Sequence, residues 1–434
     1  MSTKQWSGPG ERPIHARDAP SAHGEQGLLS RSARIRMVLL LGSVVAIGPL
    51  TTDMYLPALP AIGTELHASA SAIQLTLTAT LAGLALGQLL VGPLSDRAGR
   101  RRPLLAGVAV HIVASALCLV APGLLVLDVL RVLQGLGAAT STVIAMAIVR
   151  DLFSDSAAAT VLSRLMLVTG VSPILGPTLG GVVLNWTDWR GIFAVIAVVT
   201  LLIAIITGIA LPETLVVERR RRGGVTGTLR DYRTLFRDRV FLGLILVTGL
   251  VMSTIFAFVS GSPFVFQTYF GLDEQAFGYI FGAGALWVVV GTQLNARLLR
   301  RRSPQRILVP ALVAAAGSAV LLLTLEATGA GGIVGSLIPL WMVLFSVGFA
   351  LPNAPALAMS RHGEAAGTAA ALLGAVQFGV GALAAPVVGL IGTGPAAMAT
   401  VIAAGLVIAL LVLALVVRPR ETVRPLTRST SETA

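Results

Sequence analysis

Two ionisable side chains stand in stretches of sequence that otherwise offer no water. Asp53 lies in the run TTDMYLP, and Arg131 opens the run RVLQGLGAA that ends at Ala139. A charge at membrane depth costs about 3 kcal/mol or more unless it faces a cavity or a partner, so such residues are the first functional candidates. Burial disfavours the charged form of a carboxyl and a nearby guanidinium favours it. An acid whose cationic neighbour can move is therefore able to take up and release a proton, which is the chemistry of proton coupling. The competing reading is a static ion pair that only fixes helix packing. His111, alone in its apolar run, reads as a packed or hydrogen-bonded side chain.

These residues must be positioned by membrane-spanning helices. Of the 434 residues, 55% are apolar and 12% charged, about half the charged fraction of a soluble domain. Apolar runs long enough to span fall at roughly 36–57, 71–95, 104–121, 125–149, 160–184 and 191–210, then 240–261, 275–296, 306–325, 333–357, 367–391 and 395–417. Asp53 sits near the outer end of the first span and Arg131 about a turn and a half into the fourth, so their depths match. The fold expected is all-α and integral to the membrane, with twelve helices in two halves. Residues 1–34 read as a polar tail, 35–211 as the first half, 212–238 as a central loop, 239–417 as the second half and 418–434 as a tail. No small-residue cleavage site follows the first run, so it reads as a retained span rather than a signal peptide.

The net charge of +12 does not point to nucleic acid, because the basic residues sit between apolar runs and not on a soluble face with stacking aromatics. With both tails and every second loop taken as cytoplasmic, 30 of the 32 Lys and Arg residues fall on that side, as the positive-inside rule expects. The exceptions are Arg131 and Arg190. The outer loops carry Glu65, Asp128, Asp188, Asp273, Glu274 and Glu326 instead. Glu218 followed by four arginines to Arg222 marks the long internal polar stretch that divides the chain six plus six. LSDRAGRRR from Leu94 to Arg102 aligns with LNARLLRRR from Leu294 to Arg302, 200 residues on. Every Arg of the first copy meets an Arg, while Asp96 meets Ala296 and Gly99 meets Leu299. Parallel halves of this kind suit a transporter that rocks around a midplane site. The single cysteine, Cys118, excludes a disulfide framework, and no cofactor or metal site is legible.

The run GPLSDRAGRRRP, from Gly92 to Pro103, holds Gly92, Asp96, Arg97, Gly99, Arg100 and Arg101 in an ordered spacing that a plain basic loop does not need. It resembles the cytoplasmic signature of the major facilitator superfamily. RVLQGLGAA is similar to that family's fourth-span motif. GVSPILGPTLGG, with Gly170, Pro173, Gly176, Pro177, Gly180 and Gly181, resembles the fifth-span motif of its antiporters. Read physically, those small residues let helices approach closely and the prolines kink them. TTDMYLPALP, LPET, GSPFVF and AGTAAALLGAVQFGVGAL extend the likeness over most of the chain, to the Bcr/CflA subfamily of drug:proton antiporters.

The resemblance implies export of small, chemically diverse antibiotics in exchange for protons by a bacterial inner-membrane protein; the basic-residue count puts both termini in the cytoplasm, and one chain should suffice as the working unit. It implies that Asp96 locks the cytoplasmic gate by pairing with Arg150 or the eleventh span, that Arg131 serves proton coupling with Asp53, and that Tyr55 lines the cavity. Gln134, in the fourth-span motif, joins the cavity candidates. Asn353 and Gln377 are the polar candidates of the second half, and Phe256 and Phe258, with Phe266, could stack on a drug or simply pack. A metabolite symporter would share the fold, against which the antiporter-type glycines weigh. A membrane enzyme needs convergent catalytic groups at depth, and a channel needs charged rings or a carbonyl filter; neither is legible.

Overall fold

Each apolar run is a helix in the computed structural model, which describes residues 31–153, 155–216, 218, 232–361 and 366–418. The tail before residue 31, Arg219 to Arg222, His362 and the tail beyond Arg418 lie outside the described residues. Among the described residues twelve helices are long and apolar enough to cross a bilayer. The first six are α1 (Arg31–Asp53), α2 (Ala70–Ala98), α3 (Arg101–Cys118), α4 (Leu124–Leu152), α5 (Asp155–Leu184) and α6 (Trp189–Ala210). The second six are α7 (Arg239–Pro263), α8 (Glu274–Leu298), α9 (Pro304–Thr328), α10 (Gly332–Met359), α11 (Ala366–Ile391) and α12 (Pro395–Val412). A 3-10 turn, Leu56–Ala58, and a short helix, Leu59–Glu65, carry the first span beyond α1.

The helices outrun the apolar stretches by a few residues because polar residues at their ends are caps. Asp273 accepts from Ala276 N at 2.6 Å and Asp188 from Arg190 N at 2.9 Å, satisfying orphan N–H groups of the first turn. Asp128, expected in an outer loop, is instead inside α4. The run from Leu124 onward keeps its helix through a single acid, and the span expected at 125–149 already contained it, so only the assignment of Asp128 to a loop is corrected.

Asp238 caps α7, accepting from Val240 N at 2.9 Å and Phe241 N at 3.1 Å, and also from Arg361 Nε at 3.0 Å. Burial works against its charge, but these bonds outweigh burial and hold the carboxyl below the usual carboxylate range. A lowered folded value means that its stabilising contribution is whole above the unfolded carboxyl's range and is lost as pH falls through the folded value. Asp238→Ala is expected to cost about 1 kcal/mol near neutral pH. Thermal unfolding in detergent should show the difference between wild type and variant shrinking in acid; a gap that holds constant at low pH would contradict it.

The two sets of six helices meet along two antiparallel helix pairs. Along α2 and α11, contacts run from Ser71 against Gly389, through the Thr78 hydroxyl on the Ala382 carbonyl at 2.9 Å, to Gln88 against Gly374. Along α5 and α8 they run from Gly181 against the Glu274 backbone to Gly170 against Val289. Gln74 Nε2 donates to the Ser260 carbonyl at 3.2 Å and Gln267 Nε2 to the Pro57 carbonyl at 3.2 Å. All these contacts lie away from the basic loops. On the basic face the halves part, and a cavity of about 660 Å³ opens among the ends of α2, α4 and α11.

Candidate functional site

Pro57 lies four residues after Asp53 and has no N–H, so α1 cannot continue past that point. The chain turns into the 3-10 segment, leaving carbonyls at the end of α1 without intrahelical donors. Arg131 of α4 serves one of them, donating from Nη2 to the Thr51 carbonyl at 3.1 Å. Its Nη1 donates to Gln134 Oε1 at 2.8 Å. The guanidinium lies 3.9 Å from the Tyr55 ring centroid and 5.6 Å from that of Phe193, so two π faces and the negative end of a helix share its charge.

A second layer fixes these partners. Gln134 Nε2 donates to Ser115 Oγ at 2.7 Å, and Ser115 donates to the His111 carbonyl at 2.7 Å. Thr51 Oγ1 donates to the Ile47 carbonyl at 2.6 Å and lies 2.7 Å from His111 Nε2. With its one proton donated to Ile47, the Thr51 hydroxyl accepts from the imidazole, which places a proton on Nε2. His111 is hydrogen-bonded as expected, and it braces the segment that carries Asp53.

Asp53 itself is 7% exposed and forms no ion pair with Arg131; its Oδ1 accepts from Thr52 Oγ1 at 3.0 Å. The two side chains share a neighbourhood, because Arg131 holds the backbone two residues before Asp53. The glycines of α5 explain how that backbone is seated. A Cβ at Gly176 would stand 2.8 Å from Asp53 Cβ, and one at Gly180 would fall onto the Met54 carbonyl oxygen. The α5 motif therefore packs the break of α1 with Gly176 and Gly180, while Gly170 and Gly181 touch α8. Pro173 and Pro177 lie inside the same helix.

The expected cavity residues divide. Tyr55 and Gln134 are wholly buried around Arg131 and do not face the cleft; the Tyr55 hydroxyl pairs with Thr76 Oγ1 at 3.0 Å. Asn353 is also buried, tying α10 to α8 through Asn295 Oδ1 at 2.7 Å. Phe258 stacks on Phe281 at 4.8 Å, and Phe256 packs on Phe378 and against Gly381. Phe266 is buried too. These are helix-packing contacts, as long apolar faces meeting one another demand. Gln377 of α11 is half-buried.

The basic-face motif surrounds Arg100. Its guanidinium bonds Asp96 at 2.6 Å, Ser95 at 2.8 Å and Asp151 of α4 at 2.9 Å. Glu213, from the LPET run, accepts from the backbone N–H groups of Arg100 at 2.7 Å and Arg101 at 3.3 Å, a carboxylate on the N-terminus of α3. Burial opposes the Arg100 charge, and the bonds from Asp151 and Asp96 outweigh it, so its pKa lies above the ordinary arginine value. Gly99 turns the chain at φ 89°, in the left-handed region that favours glycine. Gly92 leaves open space in the cavity wall. Arg101 reaches the Gly208 carbonyl at 2.5 Å, and Arg97 is exposed.

The expected pairing of Asp96 with Arg150 or α11 is not made. Arg150 folds back on its own helix, donating to the Met146 carbonyl at 3.3 Å, and α11 is separated from Asp96 by the open cavity. The network instead clamps α2, α3, α4 and the segment after α6 within one half. Asp151, Glu213, Thr51 and Ser115 were not given roles from sequence; Glu213 and Thr51 lie inside runs already noted, LPET and TTDMYLP, and carried a signal.

The family model described as Major Facilitator Superfamily matches residues 41–386. An uncharacterized MFS-type transporter, YdgK, of Bacillus subtilis is 36% identical over 362 residues, covering 82% of this chain and 89% of its own. A bicyclomycin resistance protein homolog of Haemophilus influenzae is 30% identical over 353 residues, 80% of this chain and 87% of its own. The crystal structure of a D-xylose-proton symporter shares the fold, with a TM-score of 0.69 at 16% identity over 88% of this chain and 97% of its own.

Proposed function

Because the chain belongs to the major facilitator superfamily, whose members are membrane transporters and not enzymes, we propose that it exports small drug-like molecules in exchange for protons. The reading is that of a Bcr/CflA-type antiporter in the bacterial inner membrane, and the drug-resistance relative supports the substrate class. The observation that carries it is Asp53: a buried carboxyl with no cation bonded to it among the described residues, on a helix break that Arg131 grips two residues earlier. Such a carboxyl exchanges a proton as the break shifts, and Arg131 couples its charge to the position of α1.

Taking the arginine-rich face as cytoplasmic, with both termini on that side, the cavity beside Asp96 is the inward-open end of the path. Residues 35–211 and 239–417 rock about the central loop, and the α2–α11 and α5–α8 pairs separate on the outer side when the cleft reverses. Drug enters from the inner cavity, and a proton entering from outside returns through Asp53. One pH unit supplies about 1.4 kcal/mol per proton and 100 mV about 2.3 kcal/mol per net charge, enough to drive accumulation. A single chain holds both halves, so the working unit is a monomer with lipid, proton and drug as its partners; nucleic acid and cofactors have no part.

The test is reconstitution in proteoliposomes with an imposed pH gradient and a panel including bicyclomycin and chloramphenicol. Wild type should move at least one compound uphill with counterflow of protons, and Asp53→Asn should lose uphill movement while still binding the compound. Equal uphill transport by both proteins would remove Asp53 from coupling. If no compound moves against its gradient, the export reading fails.

A further inference from the structure

Two buried polar atoms near Arg131 have no hydrogen-bond partner among the described residues: its own Nε and Oδ1 of Asp128. Asp128 precedes Arg131 by three residues on α4, so the two side chains project from neighbouring turns on one side of the helix. The carboxylate lies within electrostatic range of the Arg131 guanidinium and of the Tyr55 hydroxyl. Unlike Arg131, which is wholly buried, Asp128 is only partly buried and stands a turn nearer the face opposite the basic loops. It is thus a carboxyl with one enclosed, unpaired oxygen beside a guanidinium that has an unpaired nitrogen.

We propose that Asp128 is a second proton-exchanging carboxyl of the coupling site, and the alternative partner that Arg131 takes when it leaves the Thr51 carbonyl. This rests on the antiport reading above. A carboxylate bonds a guanidinium more strongly than a neutral carbonyl does. Ionised Asp128 therefore draws Arg131 off α1, and protonated Asp128 leaves it on Thr51. Because Thr51 and Asp53 share the break of α1, the proton on Asp128 decides whether the Asp53 segment is gripped or released. The titratable groups facing this pair are Tyr55 from the first span and His111 and Cys118 from α3; Asp53, on the same break as Thr51, is bonded by Thr52. The Glu65–Arg190 ion pair, at 2.5 Å, joins the ends of neighbouring elements beyond it. From α2 the hydroxyl of Thr76 reaches Tyr55, and α6 contributes the Phe193 ring.

The experiment is pH-difference infrared spectroscopy of the full chain in liposomes, which reads protonated buried carboxyls without any drug. Wild type should lose one carboxyl band on Asp128→Asn, and the midpoint of the Asp53 band should move by about one pH unit, the scale of a tenfold change in relative proton affinity. Asp128→Glu should restore a band at a displaced frequency, and serves if the Asn variant does not fold. An Asp128→Asn spectrum with the wild-type bands and midpoint overturns the proposal, as does a wild-type spectrum with no Asp128 band. In the same liposomes, Asp128→Asn should reduce uphill bicyclomycin movement about tenfold. If wild type transports no drug but the Asp128 band titrates, the export reading has failed and the assignment of Asp128 as a proton-exchanging group has not.

Discussion

An Arg131→Met variant is expected to lose uphill transport entirely and to unfold at markedly lower temperature. The guanidinium makes two hydrogen bonds, to Gln134 Oε1 and to the Thr51 carbonyl, and lies on the Tyr55 ring. A methionine fills the space but donates to neither oxygen, so two buried acceptors are left without that donor. Hydrogen bonds to a charged group contribute about 1.5–3 kcal/mol each, and a desolvated cation–π contact about 2 kcal/mol. Losing the set while regaining the desolvation of one charge leaves a net loss of about 3 kcal/mol. Arg131→Lys separates charge from geometry. An ammonium keeps the charge but cannot bond two oxygens in a planar fork while lying flat on a ring. The lysine variant should therefore recover part of the stability and little of the transport. Differential unfolding in detergent and gradient-driven flux in liposomes read the two effects separately. A methionine variant that still accumulates drug uphill would remove Arg131 from the coupling machinery, leaving it a packing residue.

Gly180→Val should have the second large effect, through shape alone. Any Cβ at this position falls onto the Met54 carbonyl oxygen. The obstacle is backbone, so no side-chain rotation relieves it, and α5 must move off the break of α1. Overpacking a close-packed site costs about 1–3 kcal/mol, and here the displaced element carries Asp53. The expected result is a lower yield of monodisperse protein, and in the fraction that folds, loss of proton-driven flux. Gly92→Ala is the contrast, since nothing stands within 4 Å of a Cβ there. It should fold like wild type. If Gly180→Val is as stable and active as Gly92→Ala, the close approach of α5 to α1 is not what the motif supplies.

Much of the architecture was legible before any coordinates. Hydrocarbon offers backbone groups no partner, so an apolar run of this length has little choice but to be a helix, and all twelve runs are. The repeated arginine loops at Arg97–Arg102 and Arg297–Arg302 marked the two sets of six, and the glycines of the fifth span announced a close approach. Asp53 and Arg131 were picked out by charge in an apolar run; Asp53 ends α1, and Arg131 of α4 bonds the carbonyl two residues before it.

Their partners were not legible. Arg131 bonds a carbonyl 80 residues away in the chain, and His111 bonds Thr51 across 60. Such choices depend on how each helix is rotated about its axis and where it crosses its neighbours, which hydropathy does not record. For that reason Tyr55, expected in the cavity, lies under a guanidinium, and Asn353 is paired with Asn295. Asp96 bonds Arg100, four residues on across the turn at Gly99, and not Arg150 or α11. Asp128 shows the same division: sequence found the acid three residues before Arg131 and assigned it to a loop, but only packing encloses one of its carboxylate oxygens without a partner among the described residues. Sequence alone determined which segments enter the membrane, because that depends on composition summed along the chain. The tertiary structure decided which side chains meet, because hydrogen bonds are short and directional and their partners come from different helices.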